Sequence, residues 1–489
     1  MLQHLKQIVF GANHRWWALS VAALATFMVT TDAGLLSISL PVVLAEFKAD
    51  LATGGWLPFV YALVTGSLYL PCGRLSDLLG RKRTLSAGFV IYTATSLLAG
   101  FSQTIGQVIF FRGLQAAGSA LMMANTFALV TALFAPAERG RAMGLSGGMI
   151  SALGFVMGPA LGGFITYTFG WRSVFYVSCC LGIIGLIGAR FILLDDKPAR
   201  AKRGEPFDYV GTATFAIGLT MLLLALTAGQ KGLWQDPLVQ AGFLLAALFI
   251  GGFVVWEART PHPLLDLALF RIRLFAAGNI ARLASFVSVS MNQLLMPFFL
   301  QLALGLDTFQ SGLLVATASI GLGVLSPFTG YLSDRIGARL LSSAGLTLMA
   351  FAYFSLGRLD LDASRLDVAL RLGFVGVGFG LFQTPNNNAL MSSLPPDRLG
   401  VGSSFLSIVR SLGLSVGVAT ASAIVNAQLI AVSGRTSLDA LRKVGAAENS
   451  AALLSAFLSG YHYACWTSAA ICLIGAVAAS LRATRPGDD

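Results

Sequence analysis

Charge is scarce in this chain: 11% of its 489 residues are Asp, Glu, Lys or Arg, against about 25% in an ordinary soluble domain. With 56% of the residues hydrophobic, a water-soluble fold would leave too much apolar surface wet. No lysine follows a glycine anywhere, and a phosphate-cradling Walker loop needs that step. A primary, ATP-driven pump is therefore disfavoured. Enzymatic equipment is just as thin. The four histidines, His4, His14, His262 and His462, are scattered near the ends of apolar stretches, and no His-Glu-x-x-His or acid pair stands inside one. The chain is read as no enzyme, with no cofactor and no metal site. The five cysteines, Cys72, Cys179, Cys180, Cys465 and Cys472, have no paired spacing and read as small core residues, not a disulfide framework.

What the chain does have is long apolar runs. Fourteen are read, near residues 16–41, 54–75, 84–102, 105–133, 142–166, 171–194, 208–229, 237–257, 275–301, 309–331, 340–357, 366–393, 402–429 and 460–483. Runs of about 20 residues cross a hydrocarbon core as helices, whereas barrel strands alternate and run about 10 residues. The fold class is thus an all-α integral membrane protein. The first run follows Lys6, His14 and Arg15 but is too long for a signal h-region and holds a charge. The net charge is +11, and Arg74, Arg81 to Arg83, Arg139, Arg141, Lys197 to Arg203, Arg335 and Arg339 fall in alternate connections. The positive-inside rule makes those connections, and both termini, cytoplasmic. A basic excess spread over short loops leaves no single face for nucleic acid. The longest opposite-side connection, 430–459, is expected to hold a short amphipathic element.

An internal repeat organises the runs. Gly73-Arg-Leu-Ser-Asp77-Leu-Leu-Gly80-Arg81 returns as Gly330-Tyr-Leu-Ser-Asp334-Arg-Ile-Gly337-Ala-Arg339, 257 positions on. Pro136-Ala-Glu-Arg139 returns as Pro395-Pro-Asp-Arg398, 259 positions on. The offset exceeds one six-helix half and leaves room for two more helices, an even number that preserves orientation. The expected organisation is 1–200 as an N-terminal six-helix bundle, 201–262 as two linker helices and 263–489 as a second, pseudo-symmetric six-helix bundle.

Ionisable groups inside a membrane default to function. Asp32 is the one acid placed well within a run, about 13 Å from the outer end near Pro41, and Arg112 lies about 10 Å from the outer start near Ile105, at 1.5 Å per residue. The matching depths make Asp32 the candidate proton carrier and Arg112 its tuning neighbour, with an inert packing pair as the alternative. In the repeated loop, Gly73 and Gly80 permit a tight turn, and Asp77 and Arg81 stand four apart, where they can pair. With Asp334 and Arg339 they form a candidate conformational latch, against a plain topogenic loop. Gly154, Gly158 and Gly162 bare one helix face, and Pro159 bends that helix. Tyr61, Gln115, Asn125, Phe127, Arg282, Asn292, Phe298, Gln383 and Asn387 are candidate cavity residues. Arg282 and Arg410 sit about 10 to 12 Å from the cytoplasmic face. They either snorkel to headgroups or meet an anionic group.

At these residues the chain resembles the major facilitator superfamily, and within it the fourteen-helix drug:proton antiporters. Gly73 to Arg83 match the loop between helices 2 and 3, Arg112-Gly-Leu-Gln115-Ala-Ala-Gly118 the helix 4 signature, and Gly154 to Gly163 the Gly-Pro signature of helix 5. The segment Phe27 to Pro41 around Asp32 matches the helix 1 signature less well, with Gly34 and Ser37 where apolar or small residues are expected. The resemblance implies a proton-coupled exporter of amphipathic compounds working by alternating access, of the multidrug efflux kind that gives antibiotic resistance. The alternative on the same fold is an exporter or flippase of an endogenous lipid, fatty acid or other anionic amphiphile. The proton gradient stands in for any cofactor. Implied partners are a small-molecule or lipid-like substrate, protons and membrane lipids, with a periplasmic adaptor as a candidate and the monomer as the working unit. The implied location is a bacterial inner membrane.

Overall fold

The computed structural model describes residues 14–49, 56–194, 207–230, 234–261, 263–306, 308–395, 398–433 and 450–481. Among them lie fourteen long helices. The first six are α1 His14–Phe47, α2 Trp56–Leu79, α3 Arg81–Gly100, α4 Ile105–Leu133, α5 and α6 Arg172–Ile192. Helix α5 joins Pro136–Met143, a π-helical turn Gly144–Met149 and Ile150–Phe169. Two more follow, α7 Tyr209–Gln230 and α8 Pro237–Glu257. The last six are α9 Arg273–Phe298, α10 Thr308–Ile336, α11 Ala338–Leu356, α12 Arg365–Ser392, α13 Leu399–Ser433 and α14 Ser450–Ser480.

Thirteen of these are long and apolar enough to cross a membrane. The exception, α3, opens on Arg81, Lys82 and Arg83, which dilute its hydropathy. Its flank is nonetheless core: Phe89 and Tyr92 are fully buried. Every expected run is a helix, with ends displaced by a few residues. The widest displacement is α14, which starts at Ser450. Most of the 430–459 connection, with its expected amphipathic element, lies outside the described residues.

Packing repeats with a step of eight helices. In the first six, α1 lies on α5, α2 on α4, and α3 on α4 and α6; in the last six, α9 lies on α13, α10 on α12, and α11 on α12 and α14. The two sets meet through α2 against α13 and α5 against α10. Helix α7 lies along the α2–α13 seam, where Ser67 Oγ and Thr220 Oγ1 are 3.0 Å apart. Helix α8 stacks on α7 and turns Leu244 and Leu248 outward.

The repeated loop is tighter than its composition suggests. Helix α2 runs to Leu79, a single residue, Gly80, turns the chain with φ +94°, and α3 begins at Arg81. Gly337 does the same between α10 and α11 with φ +87°. Left-handed backbone of this kind is where glycine carries no Cβ penalty. Gly73, expected in the turn, lies instead inside α2, and an added Cβ there would stand 2.5 Å from the Gly400 carbonyl of α13. Gly330 of α10 meets the Gly140 carbonyl of α5 in the same way. These crossings sit at the end of the bundle that carries Arg81 to Arg83 and Arg335 to Arg339, the basic end. There the halves make their closest backbone approaches.

Candidate functional site

Asp32 on α1 and Arg112 on α4 form an ion pair, Oδ2 to Nη1, at 2.6 Å. Both residues are 2% exposed. The depths read from helical rise thus correspond to a real contact. Tyr92 on α3 donates its hydroxyl to Asp32 Oδ1 at 3.1 Å. Arg112 donates to Gln115 Oε1 at 2.7 Å, one turn along α4, and Gln115 Nε2 donates to Ser96 Oγ at 2.8 Å. The Tyr61 ring of α2 covers the guanidinium at 4.2 Å, a cation–π contact that partly replaces lost hydration. The Tyr61 hydroxyl meets Ser119 Oγ at 2.6 Å. Four helices thus converge on one ion pair. Asp32 Oδ2 and Arg112 Nε still lack a well-aligned hydrogen bond, so the pair holds largely by charge.

The glycine face of α5 presses on the back of α1 at the level of Asp32. A Cβ on Gly158 would stand 2.7 Å from the Thr31 carbonyl, and one on Gly162 2.8 Å from Leu35 Cα. One on Gly154 would collide with the Thr30 hydroxyl. Bare backbone on α5 lets α1 sit close, which fixes the depth and azimuth of Asp32. Pro159 stands within α5, and its side chain is outside the described residues.

The latch differs from its expected form. Asp77 accepts from the backbone amides of Gly400 at 2.8 Å and Val401 at 3.0 Å. Both oxygens thus cap the first turn of α13, in the other half, and a carboxylate is favoured there by the unpaired amides and the helix dipole. Sequence spacing pointed to Arg81 and could not show a partner more than 300 residues away. In the repeat copy Arg339 is exposed, and the Asp334 side chain lies outside the described residues. Elsewhere at the basic end, Arg139 donates to Ser392 Oγ of the opposite half at 3.4 Å.

The candidate cavity residues fall in several places. Tyr61 and Gln115 belong to the Asp32 cluster. Asn125 lies toward the basic end, where its Oδ1 accepts from Ser76 and from Thr84 at 3.2 Å, tying α2, α3 and α4. Phe127 is buried in a cluster with Leu19, Phe134, Leu390 and Leu406 that bridges the halves. Asn292 lines a narrow gap between α9 and α14 with Tyr461 and Ser468, inside the second half. Phe298 is half-buried against the same core. Gln383 is 8% exposed and its Oε1 has no hydrogen-bond partner. Arg282 and Asn387 come together: Arg282 Nη1 donates to Asn387 Oδ1, and Nε to the Leu406 carbonyl at 2.9 Å. The sequence reading missed Tyr92, Ser96 and Ser119. Tyr92 and Ser96 stand four apart on α3, a polar pair on one helix face that was there to be noticed.

Residues 22–418 match the profile of the Major Facilitator Superfamily. The chain belongs to that superfamily. It is a multi-pass membrane transporter, not an enzyme, and superfamily relatives point the same way. It is 30% identical over 409 residues to the riboflavin transporter RibZ of Clostridioides difficile (strain 630), covering 83% of this chain and 87% of that one. It is also 30% identical to the multidrug transporter protein MdtP of Bacillus subtilis (strain 168), covering 83% and 74%. The same identity holds against the multidrug resistance protein Stp of Mycobacterium tuberculosis, covering 84% and 76%. Among solved structures, the human organic anion transporter MFSD10 (TETRAN) superposes with a TM-score of 0.62 at 14% identity, over 96% of this chain and 98% of that one. The proton:xylose symporter XylE gives 0.61 at 14% identity, over 95% of each chain. At such identities the last two speak for the superfamily fold alone.

Proposed function

We propose that this superfamily member is a proton-coupled exporter of amphipathic small molecules, an antiporter of the fourteen-helix drug:proton branch. The observation that carries the reading is the buried Asp32–Arg112 pair. A carboxylate among four helices is neutral when protonated and anionic when not, and the guanidinium favours the anion while burial opposes it. A small change in their separation therefore loads or releases one proton. Released from Asp32, Arg112 retains Gln115 and the Tyr61 face as partners, so protonation need not strand it. Close packing of α5 on α1 couples that separation to the rocking of the halves.

The basic connections mark the cytoplasmic side by the positive-inside rule, which puts both termini there in a bacterial inner membrane. The Asp77 cap on α13 then holds the halves together at the cytoplasmic end. Relatives named as multidrug transporters support export of drug-like cargo, with antibiotic resistance as the cellular readout. The riboflavin transporter among them supports cargo with a large apolar body and polar groups. The working unit is the monomer.

The test is substrate-induced proton release in everted vesicles. Asp32→Asn is expected to abolish it while counterflow of a labelled substrate, which needs no net proton movement, persists. Proton release from the Asp32→Asn variant equal to that of wild type would sink the proposal.

A further inference from the structure

Two more arginines lie inside spans, and neither pairs with an acid among the described residues. Arg282 stands nine residues into α9, about 14 Å from its start, and Arg410 eleven residues into α13, about 16 Å, at 1.5 Å per residue. Arg282 is 1% exposed. It is turned into the bundle toward Asn387 and the Leu406 carbonyl, both neutral. Snorkelling to headgroups is excluded by that orientation. Arg410 makes no hydrogen bond and no ion pair among the described residues; its guanidinium carbon lies 5.7 Å from the Phe155 ring of α5 and 6.0 Å from the Phe286 ring of α9. Arg282 lies over the same Phe286 ring at 5.0 Å. One ring thus carries two guanidinium groups, one of them facing the opposite half.

The described carboxylates within the helices are engaged elsewhere. Asp32 holds Arg112 at 2.6 Å, Asp77 caps α13, and Asp367 holds Arg371 at 2.7 Å. Glu257, at the far end of α8, accepts from the Leu265 amide at 3.0 Å. An uncompensated guanidinium in a span costs several kcal/mol, and the faces of Phe155 and Phe286 return only part of that. A counter-charge that arrives with the cargo completes the balance.

We infer that Arg410, backed by Arg282, is an anion-recognition site between the halves, and that the cargo carries a carboxylate, sulfonate or phosphate group on an apolar body that lies against Phe155 and Phe286. The inference deepens the transport reading and rests on it for the word cargo. Planar, permanently charged guanidinium suits such groups, since it pairs with two oxygens at once.

The test uses the whole chain in phosphatidylcholine nanodiscs with fluorescent dansylamino-undecanoate and its uncharged amide. Wild type is expected to prefer the acid by at least about tenfold, the scale of one charged hydrogen bond. Arg410→Gln is expected to abolish the preference while leaving amide affinity within about twofold, which also shows that the variant is folded. Arg410→Lys is expected to keep part of it. Exchanging half of the lipid for phosphatidylglycerol separates sources: competition seen in wild type and absent in Arg410→Gln assigns the site to lipid headgroups, and no competition assigns it to free organic anions. Equal affinity of wild type for acid and amide, or a preference that survives Arg410→Gln, overturns the inference. Charge preference without any counterflow in proteoliposomes would sink the transport reading and leave the anion site standing.

Discussion

The two halves share a backbone plan and invert its electrostatics. At a spacing of 259 residues, Gly154 and Gly158 of α5 correspond to Gly413 and Gly417 of α13, and Arg112 corresponds to Arg371. The glycines behave alike. Gly417 abuts the Val287 carbonyl of α9 as Gly158 abuts the Thr31 carbonyl of α1. The charges do not. Those contacts pair Thr31 with Val287, so the counterpart of Asp32 is Ser288, buried at 0%. Arg371 accordingly pairs with Asp367 one turn away on its own helix, with the two side chains 23% and 39% exposed. Conversely, Arg282 and Arg410 stand where the first half has Thr26 and Ser151. Duplicated packing thus carries an acid-balanced arginine deep in one half and, among the described residues, arginines without an acid deep in the other.

The largest effect expected from breaking this comparison is at Asp32. Asp32→Ser makes the first half imitate the second and strands Arg112, a loss of about 3–5 kcal/mol; thermal unfolding of the purified protein reads it as a lowered Tm. Adding Arg112→Met is expected to recover much of that loss, and a double variant no better than the single one would show that the pair is not a unit. By contrast, Arg371→Ala removes a half-exposed pair and is expected to change stability by at most about 1 kcal/mol.

Next in size is overpacking on the shared glycine face. Gly158→Leu pushes α1 away from α5 and is expected to lower stability by about 1–3 kcal/mol. Proton release should fall further than binding of an uncharged substrate. Gly417→Leu is expected to match it in stability and to spare proton release, because α9 has no carboxylate at that level. Equal loss of proton release in both would dissolve the distinction between the halves.

Asp77→Asn comes third. It weakens a cap worth about 0.5–2 kcal/mol. Spin labels at the exposed Leu79 and Leu340, one in each half near the basic end, are expected to report a larger population of long distances. An unchanged distribution would remove Asp77 from the closure of that end.

The smallest effect belongs to a contact without a counterpart. Glu46, beyond the apolar part of α1, accepts from Arg172 and from Trp171 Nε1 at 2.7 Å. The Arg172 guanidinium and then the indole hold its carboxyl below the usual value of 4.5. A lowered folded value means the contribution is complete above 4.5 and fades as pH falls through the folded value. Being half-exposed, the pair is worth less than about 1 kcal/mol. The Tm difference between wild type and Glu46→Gln should therefore be small at neutral pH and vanish in acid.

Much of this was legible in the sequence for a simple reason. A helix that must cross hydrocarbon announces its length by composition, and its rise fixes depth, so Asp32 and Arg112 could be matched before any coordinates. Azimuth was not legible. In a soluble helix the apolar stripe marks the inward face, but a membrane helix is apolar outside as well, so nothing told Asn125 and Asn292 apart from Gln115. Two of them pack within a half; the third joins the ion pair. Partners distant in sequence were equally hidden: the amides of Gly400 and Val401 carry no side-chain signature that Asp77 could have been matched to. Tyr92 could be noticed beside Ser96 one turn on, but that its hydroxyl donates to Asp32 on another helix was not legible.

The hairpin of α7 and α8 has a consequence for traffic from the bilayer. Two seams run between the halves, α2 against α13 and α5 against α10, and the hairpin is laid over only the first. A lipid-dissolved molecule drifting along the protein's rim meets two layers of helix on one flank and a bare joint on the other. If the halves part at their sides as they rock, the sideways doorway is single, and it opens beside the glycine-lined helix that also supports the carboxylate.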